Sequence, residues 1–388
     1  MAEINGRAAV VGVGNSDYGQ LYRSPDPDRT AIALGLDALK LAAQDAGLAL
    51  ADIDGLILSG VTDTPAQYAD FAYRAGMRTI RYLSSNVQSG RVAAPLIAQA
   101  AAALATGQAN AIACVYAATP RSRNVKFDRG VSELYDSVFG LASPGAQYAM
   151  LYSRYLDKFG YLGRHEPLQA AVPIAFRKHA AKNPVATMRA PMSVDDYLAG
   201  PYVARPLRRN DYCLVSDGAV CLILTRKDRA RDLRCPPVHL SAFANHLTLN
   251  ETYVPAEGPG ERYYAFAQRM IGEVKAEAGI ELADIDCLQV YDNFTCDVLW
   301  SLEGAGFCAP GEALDWVQDG RIELGGELPT NTAGGMMSEV YMMGWNNLAE
   351  AVRQVRGECG DRQVADCKHA LYTCLAGQSN MALFSRDG

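Results

Sequence analysis

Two tyrosines stand in short segments whose residue types are suited to polar chemistry. Tyr291 lies in the segment VYDNFT at 290–295, and Tyr341 lies in the Asn- and Gly-rich segment NTAGGMMSEVYMMG at 331–344. A phenol both donates and accepts hydrogen bonds, and it transfers a proton where its surroundings stabilise the phenolate. The two tyrosines are therefore candidates for proton-transfer chemistry. The alternative interpretation is that Tyr341 is ordinary core packing.

The glycines of the second segment predict a site for negative charge. Gly334 and Gly335 have no Cβ to hold a ligand away from the backbone. The first turn of a helix presents N–H groups that have no partner within the helix, and such groups bind anions. We therefore expect the helix that follows Gly335 to offer free N–H groups to a developing oxyanion. The alternative is an ordinary turn at the start of a helix.

The bulk composition narrows the class of protein. A chain of 388 residues is too long for one small core, so two halves or two domains are expected. A hydrophobic content of 49% with 20% charged residues indicates a globular, soluble protein. The net charge of −7 argues against nucleic acid as a partner. Arg205, Arg208 and Arg209 form either a local pocket for a polyanionic ligand or a solvated loop.

The ten cysteines are scattered, with no C-x-x-C pair and no spacing typical of a zinc site. This pattern predicts reduced thiols, a cytoplasmic location and no metal site. No apolar run approaches the roughly 20 residues that a membrane helix needs, so we expect no membrane span. The N-terminal run is broken by glycines and predicts a strand rather than a signal peptide.

An internal repeat organises the chain. Residues 45–56 (DAGLALADIDGL) align without a gap with residues 277–288 (EAGIELADIDCL), and eight of the twelve positions are identical. Both copies connect a predicted helix to a predicted buried strand, which indicates two similar α/β halves. Asn- and Gly-containing turns follow in both halves, so a site shared between the halves is expected.

The repeat divides the chain into three parts. We predict an N-terminal half from residues 1–118 and 205–240, a helical insertion at 119–204 that covers the site, and a C-terminal half at 241–388. The insertion is rich in aromatic and basic residues, and long insertions of this kind often cover ligands. Its His165 and His179 are expected to be capped or solvated side chains rather than catalysts.

Several motifs resemble the thiolase superfamily, and in particular the thiolase-like branch of the sterol carrier protein type. They are FRKHAAKNP, PLRRNDYCLVSDGA, YDNFT, and NTAGG followed by Gly344, together with the duplicated halves. The resemblance covers essentially the whole chain. It implies two βαβαβαββ halves in a five-layer αβαβα fold, and a homodimer.

The departures from the thiolase pattern carry the functional argument. The position of the acylated cysteine is occupied by Val87, whose side chain cannot be acylated. Tyr341 and Tyr291 stand where thiolases place the groups that bind the thioester oxygen. The second thiolase cysteine is matched most nearly by Cys374, with a register uncertain by one residue.

The resemblance to thiolase-like steroid side-chain retro-aldolases implies cleavage of the Cα–Cβ bond of a bulky 3-hydroxyacyl-CoA. It implies no bound cofactor, with CoA as part of the substrate, and an OB-fold and zinc-ribbon partner protein in a hetero-tetramer. We expect Tyr341 to exchange the proton and Tyr291 to orient and polarise, although the reverse assignment is open. The remaining residues expected to bind substrate are Val87, Asp292, Asn293, Asn331, Gly334, Gly335, Ala376 and Gly377.

Some roles and two other functions stay open. Backbone N–H groups near Val87 and Ala376 are candidates for the oxyanion hole. Asp292 either tunes Tyr291 or caps a turn. The alternative functions are an acyl-CoA or lipid binding protein without chemistry, and an acyltransferase or condensing enzyme that uses Cys374 or another thiol.

Overall fold

The computed structural model describes residues 6–60, 67–86, 92–125, 138–141, 143–247, 261–375 and 378–387. The helices of these ranges are α1 (Tyr18–Arg23), α2 (Ala31–Ala46), α3 (Gln67–Ala75), α4 (Ala93–Ala105), α5 (Pro144–Lys158), α6 (His165–Gln169), α7 (Ala171–Ala181), α8 (Val194–Ala199), α9 (Lys227–Ala230), α10 (Glu261–Ala278), α11 (Thr295–Ala305), α12 (Ala313–Trp316), α13 (Gly335–Ser338) and α14 (Trp345–Arg356). The strands are β1 (Ala8–Asn15), β2 (Gly55–Ser59), β3 (Tyr82–Asn86), β4 (Ala111–Ala118), β5 (Tyr202–Ala204), β6 (Leu207–Arg208), β7 (Gly218–Arg226), β8 (Val238–Leu247), β9 (Cys287–Val290), β10 (His369–Cys374) and β11 (Gln378–Ser385).

The sheet of the described residues repeats its own pattern about its centre. Its strand order is β3-β2-β4-β7-β1-β8-β11-β10-β9, while β5 and β6 form a separate hairpin. The run β2-β4-β7-β1 corresponds to β9-β10-β11-β8, with the same sequence of parallel and antiparallel pairs. The two runs meet where Ala9 pairs with His239 and Val10 with Val238. The predicted α/β class with two pseudo-symmetric halves is therefore confirmed.

The repeated twelve residues fold in the same way in both halves. In each copy a helix ends at an alanine, a glycine in the left-handed conformation follows, a 3-10 turn is formed by the residues LAD, and a strand begins. The glycines are Gly47 and Gly279, with φ of 70° and 67°. A left-handed residue at a helix C-terminus strongly favours glycine, because a Cβ is strained there. The identity in sequence thus reflects an identical connection.

Two buried helices separate the halves. α4 and α14 each contact strands of both halves, whereas α2 packs on the outer side of the N-terminal half and α10 on the outer side of the C-terminal half. α4 has the sequence AAPLIAQAAAALA and is apolar almost all round, as expected for a helix enclosed by protein. The resulting order of layers is α2, the N-terminal strands, α4 with α14, the C-terminal strands, and α10.

The segment between the halves lies against the region of the two tyrosines. Tyr148 of α5 stacks on Phe294, with ring centroids 4.3 Å apart. The N–H groups of Thr187 and Met188 donate to the carbonyls of Glu339 and Ser338 at 3.0 and 2.9 Å. These contacts hold the chain on both sides of the candidate site. The exact boundaries of the predicted parts, at 118/119, 204/205 and 240/241, stay predictions.

None of the helices in the described part of the chain combines the length and the apolar character that a bilayer crossing requires.

Candidate active site

The phenol groups of Tyr291 and Tyr341 meet. Their Oη atoms are 3.2 Å apart, so one hydroxyl donates to the other. Tyr291, directly after β9, is only 5% exposed, whereas Tyr341, between α13 and α14, is half-buried. Burial raises the pKa of Tyr291 well above its usual value, with Tyr341 as the next contribution. The structure therefore brings together one buried phenol that keeps its proton and one that belongs to a half-buried residue.

Asn331 fixes the end of the strand that carries Tyr291. Its Oδ1 accepts from the N–H of Val290 at 2.7 Å, and its Nδ2 donates to the carbonyl of Val290 at 3.0 Å. Asn331 has a φ of 50°, a left-handed conformation that asparagine tolerates better than most residues. Both ends of its amide are thus engaged with the backbone. A direct contact with substrate, which the sequence predicts, stays a prediction.

Asp292 ties the first tyrosine segment to the second. Its Oδ1 accepts from the N–H of Met336 at 2.9 Å and its Oδ2 from the N–H of Met337 at 3.1 Å. The expectation that these N–H groups are free for an oxyanion is therefore wrong, because the carboxylate already occupies them. Burial raises the pKa of Asp292 to about 7, although the two N–H donors oppose the shift. Asp292 thus makes the hydrogen bonds of a capping residue, and the tuning of Tyr291 stays a prediction.

The two glycines have packing reasons for their small size. At Gly335, with φ of 59°, a Cβ would lie 2.4 Å from Oδ2 of Asp292. At Gly334, with φ of 106°, a Cβ would lie 2.7 Å from the Cβ of Ala180 in α7. Both positions exclude a side chain through space and through backbone conformation. Their predicted contact with substrate stays a prediction.

Of the other residues predicted to bind substrate, the structure describes only Asn293. The carbonyl of Asn293 accepts from the N–H of Cys213 at 2.9 Å, and its Oδ1 has no hydrogen-bond partner within the described ranges. Val87, Ala376 and Gly377 lie outside the described residues.

A loop before β7 contributes contacts that sequence reasoning did not assign to the site. The N–H of Leu214 donates to the carbonyl of Met336 at 2.9 Å, and the Oγ of Ser216 accepts from the N–H of Tyr341 at 3.4 Å. Tyr212 also forms an isolated antiparallel bridge with Phe294. The only signal in the sequence was the motif PLRRNDYCLVSDGA, which carries these residues but gives no role for them.

His179 supports the turn that contains Asn331. Its Nε2 accepts from the N–H of Leu324 at 3.1 Å, so Nδ1 carries the proton and donates to the carbonyl of Asn331 at 3.2 Å. Burial lowers the pKa of His179 to about 4, and the ring is neutral. Both His165 and His179 are buried, so the expectation that their side chains are exposed to solvent is wrong.

A buried acid lies two residues before Tyr341. The carboxylate of Glu339 accepts from Nδ2 of Asn183 at 3.0 Å and from Nδ2 of Asn346 at 3.1 Å. Burial raises its pKa to about 8, and the nearby Glu350 adds to the shift. Since Asn183 follows α7 and Asn346 lies in α14, Glu339 joins the insertion to the central layer.

Comparisons with known proteins agree with this fold. Residues 267–384 match the family model described as Thiolase C-terminal domain-like. The chain is 35% identical to the 17-hydroxy-3-oxo-4-pregnene-20-carboxyl-CoA lyase of Mycobacterium tuberculosis, over 96% of this chain and 97% of the relative. It is 33% identical to the steroid side-chain-cleaving aldolase of Thermomonospora curvata, over 97% of each chain. The solved structure of the Ltp2-ChsH2(DUF35) aldolase superposes with a TM-score of 0.88 at 32% identity, covering 99% of both chains.

The chain belongs to the thiolase-like aldolases. It is a carbon–carbon lyase, and the predicted thiolase fold is confirmed. A human mitochondrial 3-ketoacyl-CoA thiolase has the same fold, with a TM-score of 0.71 at 14% identity over 98% of this chain and 99% of that chain.

The thiols of this aldolase, Cys374 among them, are the groups that a covalent mechanism would use. The ten cysteines all lie in the described ranges, and none of them forms a disulfide bond there. Cys374 is fully buried at the end of β10, and burial raises the pKa of the Cys213 thiol far above its usual value. A thiol is nucleophilic as the thiolate, which burial disfavours at Cys213.

Some of the charged groups of the aldolase that are candidates for ligand binding already form hydrogen bonds or ion pairs within the protein. Arg208 is buried and donates to the carbonyl of Gly200 at 2.6 Å and to Glu166 at 3.1 Å. Because its guanidinium group is engaged within the protein, the prediction that Arg208 helps to form a pocket for a polyanionic ligand is wrong. Within the described residues, one group has the spacing of a metal site: Asp45, Cys235 and Glu358. The guanidinium group of Arg356 forms ion pairs with Asp45 at 2.7 Å and with Glu358 at 3.5 Å. The positive charge of Arg356 thus offsets the two negative charges of that group.

Proposed function

We propose that this aldolase cleaves the Cα–Cβ bond of a bulky 3-hydroxyacyl-CoA, with a steroid side chain as the substrate class. The products are a ketone or aldehyde and a shortened acyl-CoA. The observation that carries the proposal is the 3.2 Å contact between the two phenols, in place of a thiol nucleophile. The similarity to the M. tuberculosis lyase, whose name specifies a steroid carboxyl-CoA, supports the substrate class.

The reaction balances without a covalent intermediate or an external reagent. A phenolate accepts the proton of the substrate's 3-hydroxyl group as the Cα–Cβ bond breaks. The electrons of that bond form the thioester enolate, and the oxygen of the former hydroxyl becomes a carbonyl. The enolate carbon then takes the proton from the phenol, which regenerates the phenolate.

We assign the proton exchange to Tyr341 and the orienting role to Tyr291. Tyr341 is the more exposed residue of the two, which supports its role as the group that meets the substrate. Tyr291 is buried and keeps its proton, so it donates a charge-assisted hydrogen bond to the Tyr341 phenolate. A base active near neutral pH needs its phenolate stabilised by roughly 3 pKa units, or about 4 kcal/mol.

The proposal includes partners and location. We propose that the enzyme has no resident cofactor, that it forms a homodimer, and that it binds an OB-fold and zinc-ribbon partner in a hetero-tetramer. The two-component name of the Ltp2-ChsH2(DUF35) aldolase supports a partner. The ten thiols, which form no disulfide bonds among the described residues, support a reducing, cytoplasmic location. Co-expression with a candidate partner, followed by size-exclusion chromatography with light scattering, measures the assembly.

The experiment measures ketone release from a synthetic 3-hydroxy-3-alkyl CoA thioester by the protein with its co-expressed partner. Tyr341→Phe is expected to lower kcat at least about 1,000-fold while the binding of the thioester and the folded state are retained. Tyr152→Phe is the matched control, since it removes another buried tyrosine hydroxyl from α5. Full activity of Tyr341→Phe would disprove the assignment.

Two further outcomes distinguish the other functions. A protein that binds the thioester and releases no ketone, with or without its partner, would be a binding protein. A covalent acyl adduct detected by mass spectrometry after incubation with an acyl-CoA would indicate an acyltransferase or condensing enzyme. The aldolase mechanism predicts no adduct.

A further inference from the structure

A third tyrosine lies buried beside the pair. Tyr372 of β10 is 0% exposed, and its hydroxyl has no hydrogen-bond partner within the ranges that the structure describes. A buried hydroxyl without a partner costs roughly 1–3 kcal/mol, and phenylalanine would fill nearly the same volume without that cost. Packing alone therefore does not explain why a tyrosine occupies this position.

The hydroxyl of Tyr372 points at the backbone that follows Tyr341. At Gly344 a Cβ would lie 2.4 Å from Oη of Tyr372 and 3.1 Å from Cδ2 of Tyr291. The space beside Gly344, which has a φ of 84°, is thus bordered by both the third hydroxyl and the ring of the first tyrosine. Any other residue at this position would push the two side chains apart.

Three groups that interact electrostatically with Tyr372 come from the region of the candidate site. Cys374 is on the same face of β10, Asp292 follows Tyr291 after β9, and Tyr341 reaches the region from the loop before α14. Burial raises the pKa of Tyr372 well above its usual value, and negative charge on these neighbours would raise it further. Tyr372 is therefore a hydrogen-bond donor throughout the range in which the enzyme works.

We propose that Tyr372 is a positioning residue of the aldolase, whose hydroxyl donates to the negatively charged oxygen that forms on the Tyr291–Tyr341 pair. While both phenols are neutral, Tyr291 and Tyr341 hydrogen-bond to each other and the hydroxyl of Tyr372 donates to neither of them. It is used when one proton has left, since a single phenolate oxygen accepts more than one hydrogen bond. Tyr372 thereby sets the pH at which the pair becomes a base. This inference rests on the proposed function of the pair.

The test is the substitution Tyr372→Phe, measured in the protein with its co-expressed partner. Loss of one charge-assisted hydrogen bond is expected to lower kcat about tenfold at neutral pH and to move the acidic limb of the kcat–pH profile upward by about one unit. The thermal midpoint is expected to stay the same or rise, because an unpaired hydroxyl is removed. Ultraviolet difference titration of the substrate-free protein is expected to show the same upward shift in phenolate formation.

The matched control is Tyr152→Phe, whose hydroxyl is also buried and without a partner among the described residues. It is expected to leave the pH profile and the phenolate titration unchanged. Tyr372→Leu serves as a second variant, with the same expected shift, should the phenylalanine variant not fold. An unchanged profile in a folded Tyr372 variant overturns the inference about Tyr372 alone. If Tyr341→Phe is also fully active, the proposed function fails with it.

Discussion

The carboxylate of Asp292 accepts the backbone N–H of Met336 at 2.9 Å. One side chain thus joins the residue after Tyr291 to the segment that leads to Tyr341. Because the contact spans the two tyrosine segments, a change at this junction is expected to alter the distance between the phenols as well as stability.

Gly335→Ala is expected to destabilise the protein by more than about 2 kcal/mol and to lower activity, because the new Cβ meets Oδ2 of Asp292. Gly325→Ala is the control, since Gly325 also has a positive φ of 85° but no described atom lies within 4 Å of where its new methyl group would stand. The control is expected to cost only about 1 kcal/mol of backbone strain. Urea unfolding of both variants measures the difference, and equal losses would show that the contact with Asp292 is unimportant.

Asn331→Asp is expected to cost about 2–4 kcal/mol of stability and most of the activity. The substitution places a carboxylate oxygen where the amide Nδ2 donates to the carbonyl of Val290, and it buries a charge. Asn124→Asp is the control, because Asn124 has a similar φ of 53° on the surface. Thermal unfolding and steady-state kinetics report both effects. A loss of the same size in the two variants would assign the effect to backbone conformation instead.

Glu339→Gln is expected to flatten the dependence of stability on pH between about 5 and 8. Burial raises the pKa of Glu339 to about 8 in the folded protein, so the folded state binds its proton more tightly than the unfolded state. The stability that this group contributes is present at low pH and is lost as the pH rises, with a slope of at most about 1.4 kcal/mol per unit. Urea unfolding at several pH values measures it. Exposed Glu327→Gln should retain the wild-type slope, and a wild-type slope in Glu339→Gln would contradict the assignment.

His179→Gln is expected to reduce the loss of stability in acid. Burial lowers the pKa of His179 to about 4, so the unfolded state binds the proton more tightly. The contribution of the neutral ring is present above the usual pKa of about 6.5 and is lost as the pH falls from there toward about 4. Glutamine keeps one donor and one acceptor and does not titrate. His246→Gln, at a half-buried position far along β8, is the comparison in the same unfolding series; no difference between the two variants would refute the role of His179.

The arrangement at Asp292 also shows where sequence reasoning stopped. The repeat of residues 45–56 at 277–288 predicts the duplicated halves, because identical short segments form identical local connections. The same reasoning predicts free N–H groups after Gly335, since an isolated helix start leaves them unpaired. In the fold, the carboxylate of Asp292, which lies 44 positions before the first of these groups and 45 before the second, occupies them.

The amino-acid sequence by itself determined the α/β class and the two halves, because periodicity and repeats are properties of local segments, and its resemblance to thiolases singled out the two tyrosines. Only the tertiary structure decided which donors face which acceptors: that Asp292 caps, that His179 holds the turn of Asn331, and that Tyr372 stands beside the pair. These contacts join residues far apart in the chain. Their selection depends on how the layers pack, which no single segment encodes.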